Sequence, residues 1–500
     1  MADIAGLIAE RLNRPAEDRM LHYRGEWIDR GWVRAFAEDL DATLDQLGLD
    51  PGAPVGLAPH TRPEFIAALL ALLERRRSIV MIYAYQSPEA MARKLRELEL
   101  PVVIAAAEQW PGPMLAAAQA VGTAAISLAR AAPTVQCLAP GRPSAERHPR
   151  QAPIEAGVEL LTSGTTGAPK HFPISYARLF NRMVLDNSTA GAARVPGLLF
   201  FPLGNISGLY VLLPLIAADS PVMLLDKFEV AGWLDYVNLV RPTVANLPPA
   251  AFRMIIDAGV EPQEIASIRY IATGAATLDP ALRREFEGRY GAAILQSYGA
   301  TEFGGVVAAM TPELLADYGP AKADSVGRSW GGASWRVVDV NSGEPLPADQ
   351  PGRLEVWAPN MAEDWIPTTD LCAIDADGFL YHLGRLDGAI MRGGFKIIPE
   401  QVAEALCSHP AVAAAAVVGL PDARLGETPA AAVQLREGVA SIEAAGLDAH
   451  LRERLPSTML PSRYLVLPDL PRTPSLKVDL AALRRLFSEA VDAGFWPHKS

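Results

Sequence analysis

Across the first 150 residues, helical and strand patterns alternate, and this alternation restricts the fold more than any other feature of the chain. "RAFAEDLDATLDQLGL" carries apolar residues at helical spacing, and "APVGLAP" reads as a short strand. "PEFIAALLALLERRR" with "SIVMIYAY", and "PEAMARKLREL" with "PVVIAAA", repeat the pair. Short apolar strands interleaved with helices imply an α/β fold with a largely parallel sheet covered on both faces. The same rhythm returns between Leu198 and Ile294, where "SIRYIATG" and "AAILQSYG" look like strands ending in glycine-bearing loops. In such sheets, binding sites gather at the carboxyl ends of the strands.

From about Asp324 the texture changes. "WRVVDVNSGEPLP" and "GRLEVWAP" look like strands joined by polar turns, which gives a more β-rich layer. Near Asp387 it changes again. "PEQVAEALCSHP" and "IEAAGLDAHLRERL" read as helices, and "AVAAAAVVGL", "AAAVQL" and "SRYLVL" as strands, a pattern that fits a small α+β domain. A chain of 500 residues exceeds one ordinary core, so we expect a large domain over residues 1–386 and a small one over 387–500.

Half of the residues are apolar and a fifth are charged, as in soluble globular proteins. The net charge of −12 disfavours a nucleic-acid groove, which needs clustered cations. Cys137, Cys372 and Cys407 lie far apart and share no metal-ligand spacing with histidine, which points to a reduced, cytoplasmic setting. The N-terminus lacks the basic stretch and apolar core of a signal peptide. The most apolar region, "GLLFFPLGNISGLYVLLPLIAADSPVMLL", is broken by Pro202, Asn205 and Pro214 into runs too short for a bilayer. "ERRRS", Glu74 to Ser78, is a dense cationic patch, expected to complement the carbonyls at a helix end.

"LTSGTTGAPK", Leu161 to Lys170, packs two glycines, four hydroxyls and a closing lysine directly after an apolar run. Glycines let backbone N–H groups approach an anion, the hydroxyls add donors, and Lys170 adds a point charge. A Walker A loop is excluded, because Ala168 and Pro169 separate Gly167 from Lys170. "HFPIS" is extended, since Pro173 has no N–H to donate inside a helix, so this loop joins two strands.

"LLTSGTTGAPK" resembles the phosphate-binding signature of the adenylate-forming superfamily, which includes acyl-CoA synthetases, peptide-synthetase adenylation domains and luciferases. "SYGATEFGG", "TTDLCAIDADGFLYHLGRLDG", "MRGGFKIIPEQVAEAL" and "PRTPSLKVD" follow in the order of that superfamily, and the resemblance spans Leu160 to Asp479. It implies a two-step reaction with ATP and Mg2+. A carboxylate attacks the α-phosphate and releases pyrophosphate; an acceptor, CoA first among them, then displaces AMP. By the resemblance, Thr162, Ser163, Gly164, Thr165, Thr166, Gly167 and Lys170 would cradle the β- and γ-phosphates. Glu302 would hold magnesium, a cation that favours hard oxygen ligands, and Thr301 would donate to the α-phosphate. Asp370 would accept from both ribose hydroxyls, with Arg385 beside it. Gly274, Ala275 and Ala276 with Tyr298 would enclose adenine, although Tyr298 taken alone fits a core tyrosine equally well. Lys477 would bridge the attacking carboxylate and the α-phosphate, offsetting their repulsion. The small domain that carries it would be mobile, turning about Asp387 and bringing Gly393 and Gly394 to the site in the second step.

Three positions depart from the superfamily pattern. His171 and Leu476 stand where glycine is common, and Asn205 stands where a histidine or aromatic ring is usual. The last bears on the CoA step more than on adenylation. The acyl pocket would draw on Asn205, Ile206, Gly208, Pro248, Thr273, Phe303, Gly304 and Val306, a small and mainly apolar set that implies a compact hydrophobic, cyclic or aromatic acid without a second carboxylate. Three functions stay open: an acyl- or aryl-CoA synthetase, an amide ligase of the coronafacate type that uses an amino acid or amine (or a ligase that loads a separate carrier protein), and a nucleotide-binding sensor. Intact Glu302, Asp370, Arg385 and Lys477 argue against the sensor.

Overall fold

The computed structural model describes residues 3–130, 134–141, 157–162, 170–185, 195–359, 361–392, 395–422, 424–473 and 476–492. Its contacts divide the chain into two units. The first holds Met1–Val240 with Ala300–Gly305, and the second holds Arg241–Gly299 with Val306–Ser500. Residues on both sides of 387 therefore belong to the second unit.

In the first unit, seven strands form one sheet in the order Thr134–Ala139, Ala124–Ala129, Val102–Ala106, Val55–Leu57, Ile79–Met81, Gly157–Thr162, Lys170–Ser175. The five inner strands are mutually parallel, and only the two edge strands run antiparallel to their neighbours. Alternate side chains enter two separate cores, because successive residues of a strand point to opposite faces. Val102 and Ile104 join the core that contains the helix Pro63–Glu74, while Val103 and Ala105 pack with Met91 and Leu95 of the helix Pro88–Leu98. Both faces are thus dry, which explains why these strands read as apolar runs. A second sheet places Gly197–Leu199, Val222–Leu224, Arg19–Tyr23 and Glu26–Asp29 side by side.

"ERRRS" stands at a helix end. The helix Pro63–Glu74 stops there, Arg75 pairs with Asp41 at 2.6 Å, Arg76 with Asp3, and buried Arg77 donates to the Asp50 carbonyl at 3.0 Å. Arg75 and Arg76 are exposed, and all three cations tie neighbouring segments together within the unit.

The second unit begins with the parallel strands Val244–Asn246, Tyr270–Thr273 and Ala293–Ala300, continued by Gly305–Ala309 and Arg328–Ser329. An antiparallel meander follows: Ser334–Val338, Gly352–Trp357, Ile366–Ile374 and Leu380–Arg385. The C-terminal α+β layer joins Phe395–Ile397, Ile390–Arg392, Gly426–Leu435 and Val412–Asp422, with Arg463–Leu467 parallel to Gly426–Leu435. Helices Pro399–Cys407 and Ala444–Arg452 share one core against this sheet, and Leu483 and Phe487 of the helix Leu480–Asp492 enter another. Arg436 of this layer donates to Glu285 at 2.9 Å, and buried Arg253 holds the same carboxylate at 2.9 Å. Among the described residues no helix is long and apolar enough to cross a membrane.

Candidate active site

The turn between the strands Ile366–Ile374 and Leu380–Arg385 is made by Asp375, whose Oδ1 accepts from the backbone of Asp377 and Phe379 at 3.0 and 2.9 Å. Gly378 takes φ +78° beside it, a conformation that costs glycine little. This closure sets a register in which Asp370 lies opposite Arg385 and Cys372 opposite His382. Gly384 could not carry a side chain: a Cβ there would meet Ile398 at 2.3 Å, and its φ is +131°.

Around buried Asp370 the second unit gathers several groups. Tyr298, from the strand Ala293–Ala300, donates its phenol to Oδ2. His382 places Nε2 3.4 Å from Oδ1, and Arg385 places Nη1 4.0 Å from the same oxygen. Burial pushes the carboxyl pKa of Asp370 up, but the hydrogen bonds from His382 and Tyr298 and the charges of His382 and Arg385 outweigh it and hold the pKa below 3.8. Burial, with Asp370 adjacent, drives the Tyr298 phenol well above 10, so it remains a donor. Arg385 also donates to Asp387 at 2.8 and 2.6 Å and to Thr369 at 2.8 Å. Its hydrogen bonds to Asp387 raise its pKa. The arginine expected at the ribose and the aspartate expected at the hinge are therefore an ion pair.

Lys477 lies in the same unit. Its carbonyl accepts from Thr473 at 2.8 Å, and Arg472 reaches the Leu476 carbonyl at 3.1 Å. Leu476 takes φ +61°. One sequence departure is thus a left-handed residue, the conformation that glycine adopts without penalty. Lys477 is exposed as a residue, yet desolvation of its ammonium lowers its pKa from 10.5, and the positive charge of Arg385 adds to the effect.

At the end of the strand Tyr270–Thr273, a Cβ on Gly274 would meet Ser297 Oγ at 2.6 Å, so this loop runs close against the strand that bears Tyr298. Ala275 takes φ +66°, and Ala275 and Ala276 are exposed. Thr273 is buried, and its hydroxyl has no partner among the described residues. Pro248 precedes the helix Pro249–Asp257 as its N-cap, and Val306 is half-buried in the strand Gly305–Ala309.

In the first unit, Thr301 and Glu302 form the short turn Thr301–Phe303, which Gly304 closes at φ +70°. Arg182, only 1% exposed, donates Nε to the Phe303 carbonyl at 3.3 Å. Glu302 is half-buried and makes no ion pair or side-chain hydrogen bond among the described residues. An oxygen donor that no described cation occupies fits magnesium, which takes one or two carboxylates and completes its shell with phosphate oxygens and water. The described residues hold no cluster of three His, Cys, Asp or Glu able to bind a metal alone. Asn205 is the N-cap of the helix Ile206–Ala217, but its amide makes no capping bond. Gly208 sits in that helix with Pro202 so close that a Cβ would meet its carbonyl at 2.5 Å.

The phosphate loop is bracketed as its sequence implied. Thr162 ends one strand, Lys170 begins the next, and the two residues are antiparallel partners. Ser163, Gly164, Thr165, Thr166 and Gly167, and Gly393 and Gly394, lie outside the described residues. Sequence reasoning missed His382 and Arg182. His382 stands three residues before Arg385 inside a motif already singled out, and only the hairpin register turns it toward Asp370.

The model of the AMP-binding enzyme family matches residues 8–364, and that of the AMP-binding enzyme C-terminal domain matches 401–477. The chain belongs to the AMP-binding enzyme family. A sulfoacetate–CoA ligase of Cupriavidus necator is 31% identical over 351 residues, which are 66% of this AMP-binding enzyme and 67% of the relative. The ATP-bound MatB of Rhodopseudomonas palustris shares the fold at 22% identity, with a TM-score of 0.79 over 98% of this chain and 99% of that one. The amide bond synthetase McbA of Marinactinospora thermotolerans shares it at 24% identity, with a TM-score of 0.78 over 97% and 99%. One architecture, a large N-terminal part of sheets and helices with a smaller C-terminal α+β part, is thus common to this chain, the ATP-bound MatB and the amide bond synthetase.

Proposed function

We propose that this AMP-binding enzyme is an ATP-dependent carboxylic acid ligase that makes an acyl-adenylate and passes the acyl group to CoA. One observation carries the reading: Lys477, with its pKa lowered, lies within electrostatic reach of Arg385, whose guanidinium borders the Asp370–Tyr298 pair. Asp370, Tyr298, Arg385 and Lys477 all belong to one unit.

In the first step, a carboxylate oxygen of the acid bonds to the α-phosphorus, and the bond to the bridging oxygen of pyrophosphate breaks. Two unit negative charges 4 Å apart repel by about 4 kcal/mol at a protein-surface dielectric. Lys477 offsets that repulsion, and Thr301 donates to the α-phosphate. Asp370 and Arg385 orient the ribose, Gly274, Ala275, Ala276 and Tyr298 enclose the base, and the loop from Thr162 to Lys170 holds the outgoing phosphates. Glu302 would hold magnesium, which would supply positive charge at the phosphate oxygens. In the second step, the CoA thiol attacks the acyl carbon, loses its proton, and AMP leaves. The domains divide at residues 386 and 387, with Asp387 as the hinge. The pocket residues Asn205, Ile206, Gly208, Pro248, Thr273, Phe303, Gly304 and Val306 favour a compact apolar acid. The CoA ligase relative supports the thiol acceptor. Asn205, in place of a ring, and the shared fold of the amide bond synthetase support an amine acceptor as the second reading.

The test incubates enzyme, ATP and magnesium with a panel of carboxylic acids, adding CoA, amino acids or neither, and follows AMP release and product mass. CoA-dependent turnover is expected. Turnover with amines and none with CoA would replace the acceptor. No adenylate with any acid would remove the ligase reading.

A further inference from the structure

We infer that His382 is a positioning residue for Asp370, holding the carboxylate so that its free lone pairs face a vicinal diol. The inference rests on the nucleotide reading of this site. Asp370 is acceptor-only when ionised, with two lone pairs on each oxygen. Tyr298 occupies one position on Oδ2, and His382 approaches Oδ1 at 3.4 Å. Arg385, on the same strand as His382, stands 4.0 Å from Oδ1 and is committed to Asp387 and Thr369. Each oxygen of Asp370 is therefore steered by one ring-bearing donor and keeps capacity for one more hydrogen bond. The two rings lie against each other, with centroids 5.8 Å apart and planes 29° apart. Moving His382 would release Tyr298 as well as Oδ1.

A contact of 3.4 Å is long for a hydrogen bond, so His382 contributes direction more than strength. Only a ring with hydrogen on Nε2 donates to Oδ1. Cys372, opposite His382 in the hairpin, is fully buried, so the backbone beneath the ring is fixed by the core. A side chain of the same bulk without a donor, such as phenylalanine, would keep the stacking on Tyr298 and free one carboxylate oxygen.

Calorimetric titration with ATP and with 2′,3′-dideoxy-ATP tests this without requiring any chemistry, in wild type, His382→Phe and His382→Gln. His382→Phe is expected to weaken ATP about tenfold, the scale of one hydrogen bond to a charged group, and to leave dideoxy-ATP within about twofold of wild type. His382→Gln, which keeps a donor, should recover most of the ATP affinity. In steady state the loss should appear in KM for ATP, with kcat changed far less. Equal losses for ATP and dideoxy-ATP, or no loss for ATP, would overturn the inference. Should His382→Phe fail to fold, His382→Asn and His382→Gln carry the same comparison: a donor set wrongly, in the shorter amide, must lose more ATP affinity than dideoxy-ATP affinity. Tight ATP binding by wild type with no adenylate from any acid would end the ligase reading and leave this one standing.

Discussion

Tyr298 donates its phenol to Oδ2 of Asp370, joining a strand of the parallel sheet to a strand of the meander. The bond connects two elements that are far apart in sequence, and it holds a buried carboxylate in its charged form. Tyr298→Phe removes the donor and keeps the ring. The expected loss is about 1.5–3 kcal/mol, read as a KM for ATP raised by one to two orders of magnitude and a lower denaturation midpoint.

The stability supplied by Asp370 has a definite pH dependence. Its folded pKa lies below 3.8, so the contribution is complete above that value and is lost as pH falls through the folded pKa. Denaturation of wild type and Asp370→Asn should therefore differ most at neutral pH, and the difference should shrink as the pH falls through the folded pKa, below 3.8. A difference that grows as the pH falls below 3.8 would contradict the assignment.

Lys477→Ala should nearly abolish acid-dependent pyrophosphate exchange while ATP binding, measured by titration, stays close to wild type. In wild type the ammonium is lost at a lower pH than that of an ordinary lysine, because its pKa lies below 10.5. Exchange should accordingly decline on the alkaline side before pH 10.5, and Lys477→Arg should shift that decline upward.

Leu476 holds φ +61° immediately before Lys477. Left-handed backbone costs an ordinary residue about 1–2 kcal/mol, and glycine carries an unfolded-state entropy cost of about 0.5–1 kcal/mol. Leu476→Gly should therefore leave stability unchanged or raise it by at most about 1.5 kcal/mol. Leu476→Val, stiffer at χ1, should lower both stability and exchange activity. A Val variant equal to wild type in both would show that the loop carries no such constraint.

Glu302→Gln keeps the shape of the side chain and removes its charge. The magnesium concentration for half-maximal pyrophosphate exchange should rise several-fold, and excess magnesium should restore part of the rate. Unchanged magnesium dependence would take the ligand role from Glu302.

Local chemistry wrote the elements into the sequence. Apolar alternation marked the parallel strands, and Pro173 marked the extended segment after the phosphate loop. Asp370 and Arg385 could be singled out because they sit in one short string, and their facing positions follow from a turn of fixed length. Partners brought together from distant segments were not legible in this way. Tyr298 against Asp370, Arg182 against Phe303 and Arg436 against Glu285 each span 72 or more residues. Such pairs depend on strand register and on which face of a sheet a neighbouring element covers, and no local pattern encodes either. The ties of Arg75 to Asp41, Arg76 to Asp3 and Arg77 to Asp50 have the same origin. The sequence alone determined which elements form and which chemical groups are at hand; only the tertiary packing decided which of those groups meet, because burial and register select a few contacts from the many that the chain could make.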